Sequence, residues 1–233
     1  MDFADLGQKI SVMALPIILA VVLHEYAHGW VASRKGDQTA RMMGRLTLNP
    51  IVHIDLFGTI ILPILFYISS GFLFAFAKPV PVNFWNLRRP KEDMVWVAAA
   101  GPGMNLVLAA ISAFLIHLII KFVPGISEAV SSQGNPFSVG NVFGGSFFVP
   151  ILFMLIFSVQ INVILAMINL IPIPPADGGR IMVGLLPRAQ SNALSRIEPI
   201  GIFLIIGILI FNPLGILNLT LYPVIHGIIG MLL

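Results

Sequence analysis

The chain has 233 residues, 58% of them hydrophobic and 10% charged, with a mean hydropathy of +0.97. A soluble domain carries about 25% charged and about 45 to 50% apolar residues, so an ordinary globular fold and a disordered chain are both excluded. Thirteen Lys and Arg against ten Asp and Glu give a net charge of +3. The basic residues lie in short loops between apolar runs and form no single stripe, which implies a lipid bilayer as surroundings and no nucleic-acid partner. Cysteine is absent, so disulfides, a thiol nucleophile and Cys-ligated metal are ruled out, while His and carboxylate ligation stay open.

A bilayer span needs about 20 mostly apolar residues. Six stretches meet or approach this: 10–33, 56–77, 94–120, 146–171, 197–212 and 214–233, the last two short and divided by Asn212-Pro213. The first has no small-residue cleavage site and runs straight into His24 and Glu25, so it is expected to belong to the mature chain. Basic residues follow both the first stretch (Arg34, Lys35, Arg41, Arg45) and the second (Lys78, Arg88, Arg89, Lys91). The positive-inside rule is met if 56–77 enters and returns on one side, with both basic loops in the cytoplasm and the N-terminus outside. In 71–77, Phe72, Phe74 and Phe76 alternate with smaller residues, the period of a strand, and Pro79 and Pro81 would confine it to an edge. The expected fold is an all-α polytopic membrane protein, one membrane-embedded domain over 1–233. It would have about five full transmembrane helices and a re-entrant, partly β segment at about 56–83.

His24-Glu25-Tyr26-Ala27-His28 reads H-E-x-x-H. On a helix, residues four apart share a face, so both imidazoles can meet one Zn2+ while Glu25 can take a proton from water activated by the metal. The bland alternative is a helix end whose His and Glu reach to the interface or pair with each other. Depth weakens it: with Lys9 and Arg34 marking the ends of the span, His24 lies roughly 15 Å short of the basic end. An intramembrane Glu25 is costly without a partner or a function.

A catalytic zinc takes three protein ligands and leaves a fourth position open. Candidates for the third are His53, Asp55, His117, Asp177, Glu198 and His226. Asp177 is the best placed, in Asn169-Leu-Ile-Pro-Ile-Pro-Pro-Ala-Asp-Gly-Gly-Arg180 after an apolar span, where prolines break the helix and glycines allow a tight backbone. An Asp that merely caps the next helix fits those residues about as well. His53 reads as a loop residue, and His117 and His226 as lone histidines on apolar faces. Asn105 fits an interhelical hydrogen bond better than a substrate contact, although both uses suit an intramembrane amide. The Phe72, Phe74 and Phe76 row fits a packing face better than the substrate-binding surface it would form on an edge strand.

His24-Glu25-x-x-His28, Gly101-Pro102-Gly103-Met104-Asn105 and Asn169-x-x-Pro172-x-Pro174-x-x-Asp177-Gly178 together resemble the site-2 protease family of zinc intramembrane metalloproteases. The resemblance covers His24 to Arg180, with Ala176 where the family often has Leu, and no stretch reads as a PDZ or CBS domain. It implies Zn2+ as cofactor and Asp177 as third ligand. It also implies that Asn169 helps to hold the substrate or its oxyanion, that 71–83 is a strand for an unwound substrate, and that the reaction is peptide hydrolysis within transmembrane segments of membrane proteins. The active site would then lie towards the cytoplasmic side of the cell membrane. Two rivals keep the same residues: a metal-ion or proton-coupled transporter lined by His24, Glu25, His28 and Asp177, and a metal-dependent scaffold in which Glu25 is dispensable. A second copy of the His-Glu helix, as inverted repeats would supply, is missing from the sequence.

Overall fold

The computed structural model describes residues 3–53, 61, 78–126 and 147–233. Phe72, Phe74, Phe76 and Asp55 lie outside them, as does the re-entrant course expected for 56–77. Every regular element among the described residues is helical. In chain order they are α1 (Phe3–Lys35), α2 (Thr39–Met42), α3 (Pro90–Phe122), α4 (Phe148–Asn169), α5 (Asp177–Leu185), α6 (Arg188–Ser195), α7 (Glu198–Phe211), α8 (Ile216–Leu219) and α9 (Leu221–Leu232), with short 3-10 turns at Pro50–His53, Phe84–Asn86 and Pro213–Gly215.

Three helical segments are long and apolar enough to cross a bilayer: Ser11–Lys35, Pro90–Phe122 and Phe148–Asn169. A fourth counts if α6 and α7, bent by 70°, form one span. The protein is a membrane protein, but the described residues supply three or four spans where about five were expected. The reason lies at the C-terminus. Asn212 takes a left-handed conformation (φ 39°) before Pro213, which has no N–H to continue a helix. The apolar run beyond Pro213 is cut into α8 and α9, and the 12 residues of α9 extend only about 18 Å.

The chain packs into two compact units: Met1–Ala20 with Asn105–Asn169 and Ile206–Leu233, and Val21–Met104 with Leu170–Ile205. In the first unit, Ala113, Ile116, Val149, Leu152, Phe153 and Val159 form an apolar cluster, and Ala109, Val163 and Ile225 form another. The polar side chains buried there bond to one another. Asn105 Nδ2 donates to Asn162 Oδ1 at 2.8 Å, and Ser112 and Ser158 share a hydrogen bond of 2.8 Å, the pairing by which amides and hydroxyls tie helices together where water is absent.

In the second unit, α1 ends in a Schellman turn: Asp37 N–H returns to Ala32 O and Gly36 N–H to Ser33 O. Gly36 sits at φ +119°, a conformation that favours glycine. The turn delivers Asp37 to the interior, where the residue is fully buried. Its carboxylate accepts from Thr39 N–H and Oγ1–H, Asn83 N–H and Asn86 Nδ2–H. Asp93, in the first turn of α3, accepts from Arg89 N–H at 2.9 Å and pairs with Lys35 at 2.9 Å, tying the start of α3 to the end of α1.

The strand expected over 71–83 does not occur in its described part. Residues 78–83 belong to no strand, and three of their backbone donors are engaged by other groups. Lys78 N–H goes to His53 O, Val80 N–H to Glu25 and Asn83 N–H to Asp37, while Pro79 and Pro81 have none to give. With those three donors engaged elsewhere and two prolines in six residues, no continuous strand ladder forms here.

Candidate metal centre

The last turns of α1 carry His24, Glu25 and His28. The helical period sets the two imidazoles on one face, with Nε2 atoms 3.0 Å apart. The third member comes from the far end of the sequence. The proline-rich link after α4 ends at Ala176, and Asp177 opens α5. Gly178 and Gly179 let that helix start press against the backbone of Leu170 and Pro174, with no room for a side chain at either position. Asp177 Oδ2 thereby lies 3.2 Å from His24 Nε2 and 3.3 Å from His28 Nε2. It is buried and makes no hydrogen bond among the described residues.

The donor set fits zinc. A tetrahedral ion with bonds of about 2.0 Å separates its ligand atoms by about 3.3 Å, and the triangle here has edges of 3.0, 3.2 and 3.3 Å. His28 Nδ1 lies 2.6 Å from Val97 O, so donation to that carbonyl leaves Nε2 as the unprotonated ligand, the usual support for a metal-bound imidazole. His24, His28 and Asp177 also form the cluster of possible metal ligands found among the described residues.

Gly101, on α3, faces the triangle. A Cβ there would stand 2.5 Å from His24 Nε2 and closer still to His28 Nε2, inside any allowed contact, so a side chain at 101 would fill the space where the nitrogens converge. In the sequence this residue stands only within the Gly101–Asn105 motif. A glycine inside a long apolar helix was the available signal of close approach. The Val97 carbonyl and the Val80 N–H, which donates to Glu25 Oε2 at 2.7 Å, are backbone groups and carry no signal in the sequence.

The other sequence candidates have different surroundings. His53 is buried with Nε2 2.9 Å from Thr47 O. His117 Nδ1 lies 2.8 Å from Ala113 O in its own helix. Glu198 pairs with Arg180 at 3.2 Å, and His226 is exposed on α9. Asn169 ends α4 and donates to Leu165 O at 2.9 Å. Asn105 is fully buried in the first unit, where its amide is held to that of Asn162. Neither amide is part of the His24–His28–Asp177 triangle.

Two imidazoles on α1 and a carboxylate at the start of α5, with a glutamate next to one ligand, make the donor set of a membrane metalloenzyme. The model of Peptidase family M50 matches residues 12–211, and the chain belongs to that family. It is 34% identical over 217 residues to "Putative zinc metalloprotease YwhC" of Bacillus subtilis (strain 168), covering 92% of this chain and 86% of that protein. It is 29% identical over 198 residues to "Putative zinc metalloprotease Rip2" of Mycolicibacterium smegmatis, covering 84% and 65%. With the protein of that name from Mycobacterium tuberculosis (strain H37Rv) it shares 23% over 214 residues, covering 92% and 71%. No solved structure matches the chain. The enzyme class is therefore zinc metalloprotease, and Zn2+ is its metal.

Proposed function

We propose that the protein is an intramembrane endopeptidase that hydrolyses peptide bonds in transmembrane segments of membrane proteins. The observation that carries this reading is the triangle of His24 Nε2, His28 Nε2 and Asp177 Oδ2 on helices of a membrane protein. These three side chains would hold the metal. Bound zinc supplies Lewis-acid polarisation of the scissile carbonyl and lowers the pKa of a water molecule.

Glu25, adjacent to His24, takes the proton from the attacking water and passes it to the leaving amine nitrogen. Val97 O holds the His28 ring in place, and the absence of a side chain at Gly101 keeps the face of the triangle open. Asn169 would hold the substrate or its oxyanion. The substrate must be unwound locally, because the carbonyls of an intact helix are hydrogen-bonded and shielded. The basic residues Arg34, Lys35, Arg41, Arg45, Arg88 and Arg89 favour a cytoplasmic position for the ends of α1 and α3 that they flank. The active site then faces the cytoplasmic side and the N-terminus lies outside.

Comparing membrane-protein fragments from cells that express wild type and Glu25→Gln tests this reading. The amide cannot accept the proton, so cleavage should fall by about 10²-fold or more while about one zinc per chain remains. Normal turnover by Glu25→Gln would leave a transporter or a scaffold as the better description.

A further inference from the structure

The Val80 N–H hydrogen bond ties Glu25 to a segment that three other side-chain and backbone groups hold in place. Glu25 Oε2 accepts from Val80 N–H at 2.7 Å. The residues on either side are fixed from the loop after α1. Buried Arg45 donates through Nη2 to Lys78 O at 2.9 Å and to Pro79 O at 3.3 Å. Asp37 accepts Asn83 N–H at 2.8 Å, and Lys78 N–H closes on His53 O at 3.0 Å. Val80 also packs its side chain towards Gly29, where an added Cβ would lie 3.0 Å from Val80 Cγ1.

A carboxylate that accepts a backbone N–H is restricted in rotation about its last torsion. A general base must lie within hydrogen-bond reach of the proton it removes, so this restriction bears directly on its efficiency. Between Pro79 and Pro81 the Val80 N–H is the sole backbone donor, and the prolines fix φ on both sides of it.

We propose that the Val80 backbone N–H positions the Glu25 carboxylate, with Arg45 and Asp37 as positioning residues that hold the 78–83 segment carrying it. This inference rests on the reading of Glu25 as the general base. It gives the conformation of 78–83 a role in the chemistry that its sequence pattern, read as an edge strand, did not contain.

Val80→Pro deletes the N–H and alters the side chain, whereas Val80→Ala trims the side chain and keeps the donor, so the difference between the two isolates the N–H. The full-length protein in detergent is assayed on a fluorogenic Leu/Ala transmembrane peptide interrupted by Asn-Gly-Pro, with kcat, KM and zinc content measured for each variant. Val80→Pro should lose at least about tenfold more kcat than Val80→Ala, with KM and zinc similar in both. Arg45→Met should lower kcat, and Arg45→Lys, which can still donate to the two carbonyls, should recover part of the loss. A second readout needs no turnover. In zinc-free protein labelled with 15N-valine, the Val80 amide proton, assigned by its loss in Val80→Ala, should lie downfield and move upfield in Glu25→Gln and in Arg45→Met.

Equal kcat for Val80→Pro and Val80→Ala, in a background where Glu25→Gln is inactive, overturns the positioning role and leaves the proteolytic reading standing. Parallel loss of zinc and thermal stability in both variants also overturns it, since the segment would then only support the fold. Peptide left uncut by the wild type, or cut as well by Glu25→Gln, overturns the proteolytic reading itself. In that case a Val80 amide that ignores Glu25→Gln shows the contact to be unformed in solution as well.

Discussion

In the unit built from 1–20, 105–169 and 206–233, buried polar side chains answer one another: Asn105 with Asn162, Asn162 with Ser158 O, Ser158 with Ser112. In the unit built from 21–104 and 170–205 the buried polar atoms without a hydrogen-bond partner among the described residues are Arg45 Nε, His53 Nδ1 and Asp177 Oδ2. The first arrangement neutralises itself and needs no ligand, which suits a role in packing. In the second, an acceptor in Asp177 faces the Nε2 atoms of two imidazoles, with His28 Nδ1 turned to Val97 O, and a cation is what completes it. Intramembrane polar residues thus divide by whether their hydrogen bonds close among themselves, and counting polar residues along the chain does not make that division.

The largest effect is expected at two glycines of one motif. Gly101→Ala places a methyl group against both imidazoles, whereas a Cβ at Gly103 meets nothing within 4 Å. Zinc content after dialysis against limiting zinc should drop at least about tenfold in Gly101→Ala and stay at the wild-type level in Gly103→Ala. Equal zinc in the two proteins would show that the triangle is not where the metal sits.

Asn105→Ala probes the other unit. Losing one partner of the amide pair should cost about 0.5 to 2 kcal/mol, read as a lower unfolding temperature in detergent, with zinc content unchanged. If Asn105→Ala lost substrate turnover at full stability, the amide would belong to substrate binding and the division between self-closing and ligand-seeking polar groups would fail.

A smaller effect is expected from acid. Burial pushes the Asp37 carboxyl up, but the hydrogen bonds from Thr39, Asn86 and Asn83 outweigh it and hold the group below its ordinary value of 3.8. The folded value is the lower one, so Asp37 contributes stability that is fully present above the unfolded value and is lost as pH falls through the folded value. Thermal unfolding from pH 6 downwards should show a steeper decline below about pH 4 in wild type than in Asp37→Asn, which has no proton to gain. Identical slopes would mean that other carboxylates govern the acid limb.

Hydropathy alone was enough to place the chain in a bilayer and to outline α1, α3 and α4, because a span is a local property of about 20 consecutive residues. It overestimated the C-terminal spans, since composition does not register how firmly Asn212-Pro213 and Gly215, left-handed at two positions, interrupt an apolar run. The alternation at 71–77 and the prolines after it suggested a strand that residues 78–83 do not form. Pairing depends on whether donors are free, and here Glu25, Asp37 and His53 take those of Val80, Asn83 and Lys78 while two prolines have none.

His24, Glu25 and His28 were legible because the helix repeat by itself puts residues four apart on one face. Asp177 was one of six candidates on residue type and spacing. Its separation from His24 along the chain carries no periodicity, and only packing of the proline-rich link and of α5 brings its carboxylate within 3.3 Å of the imidazoles. The open face at Gly101, the Val97 carbonyl behind His28 and the Val80 N–H on Glu25 were likewise decided by tertiary structure, because backbone groups are the same in every residue and acquire a role only from what the fold sets beside them.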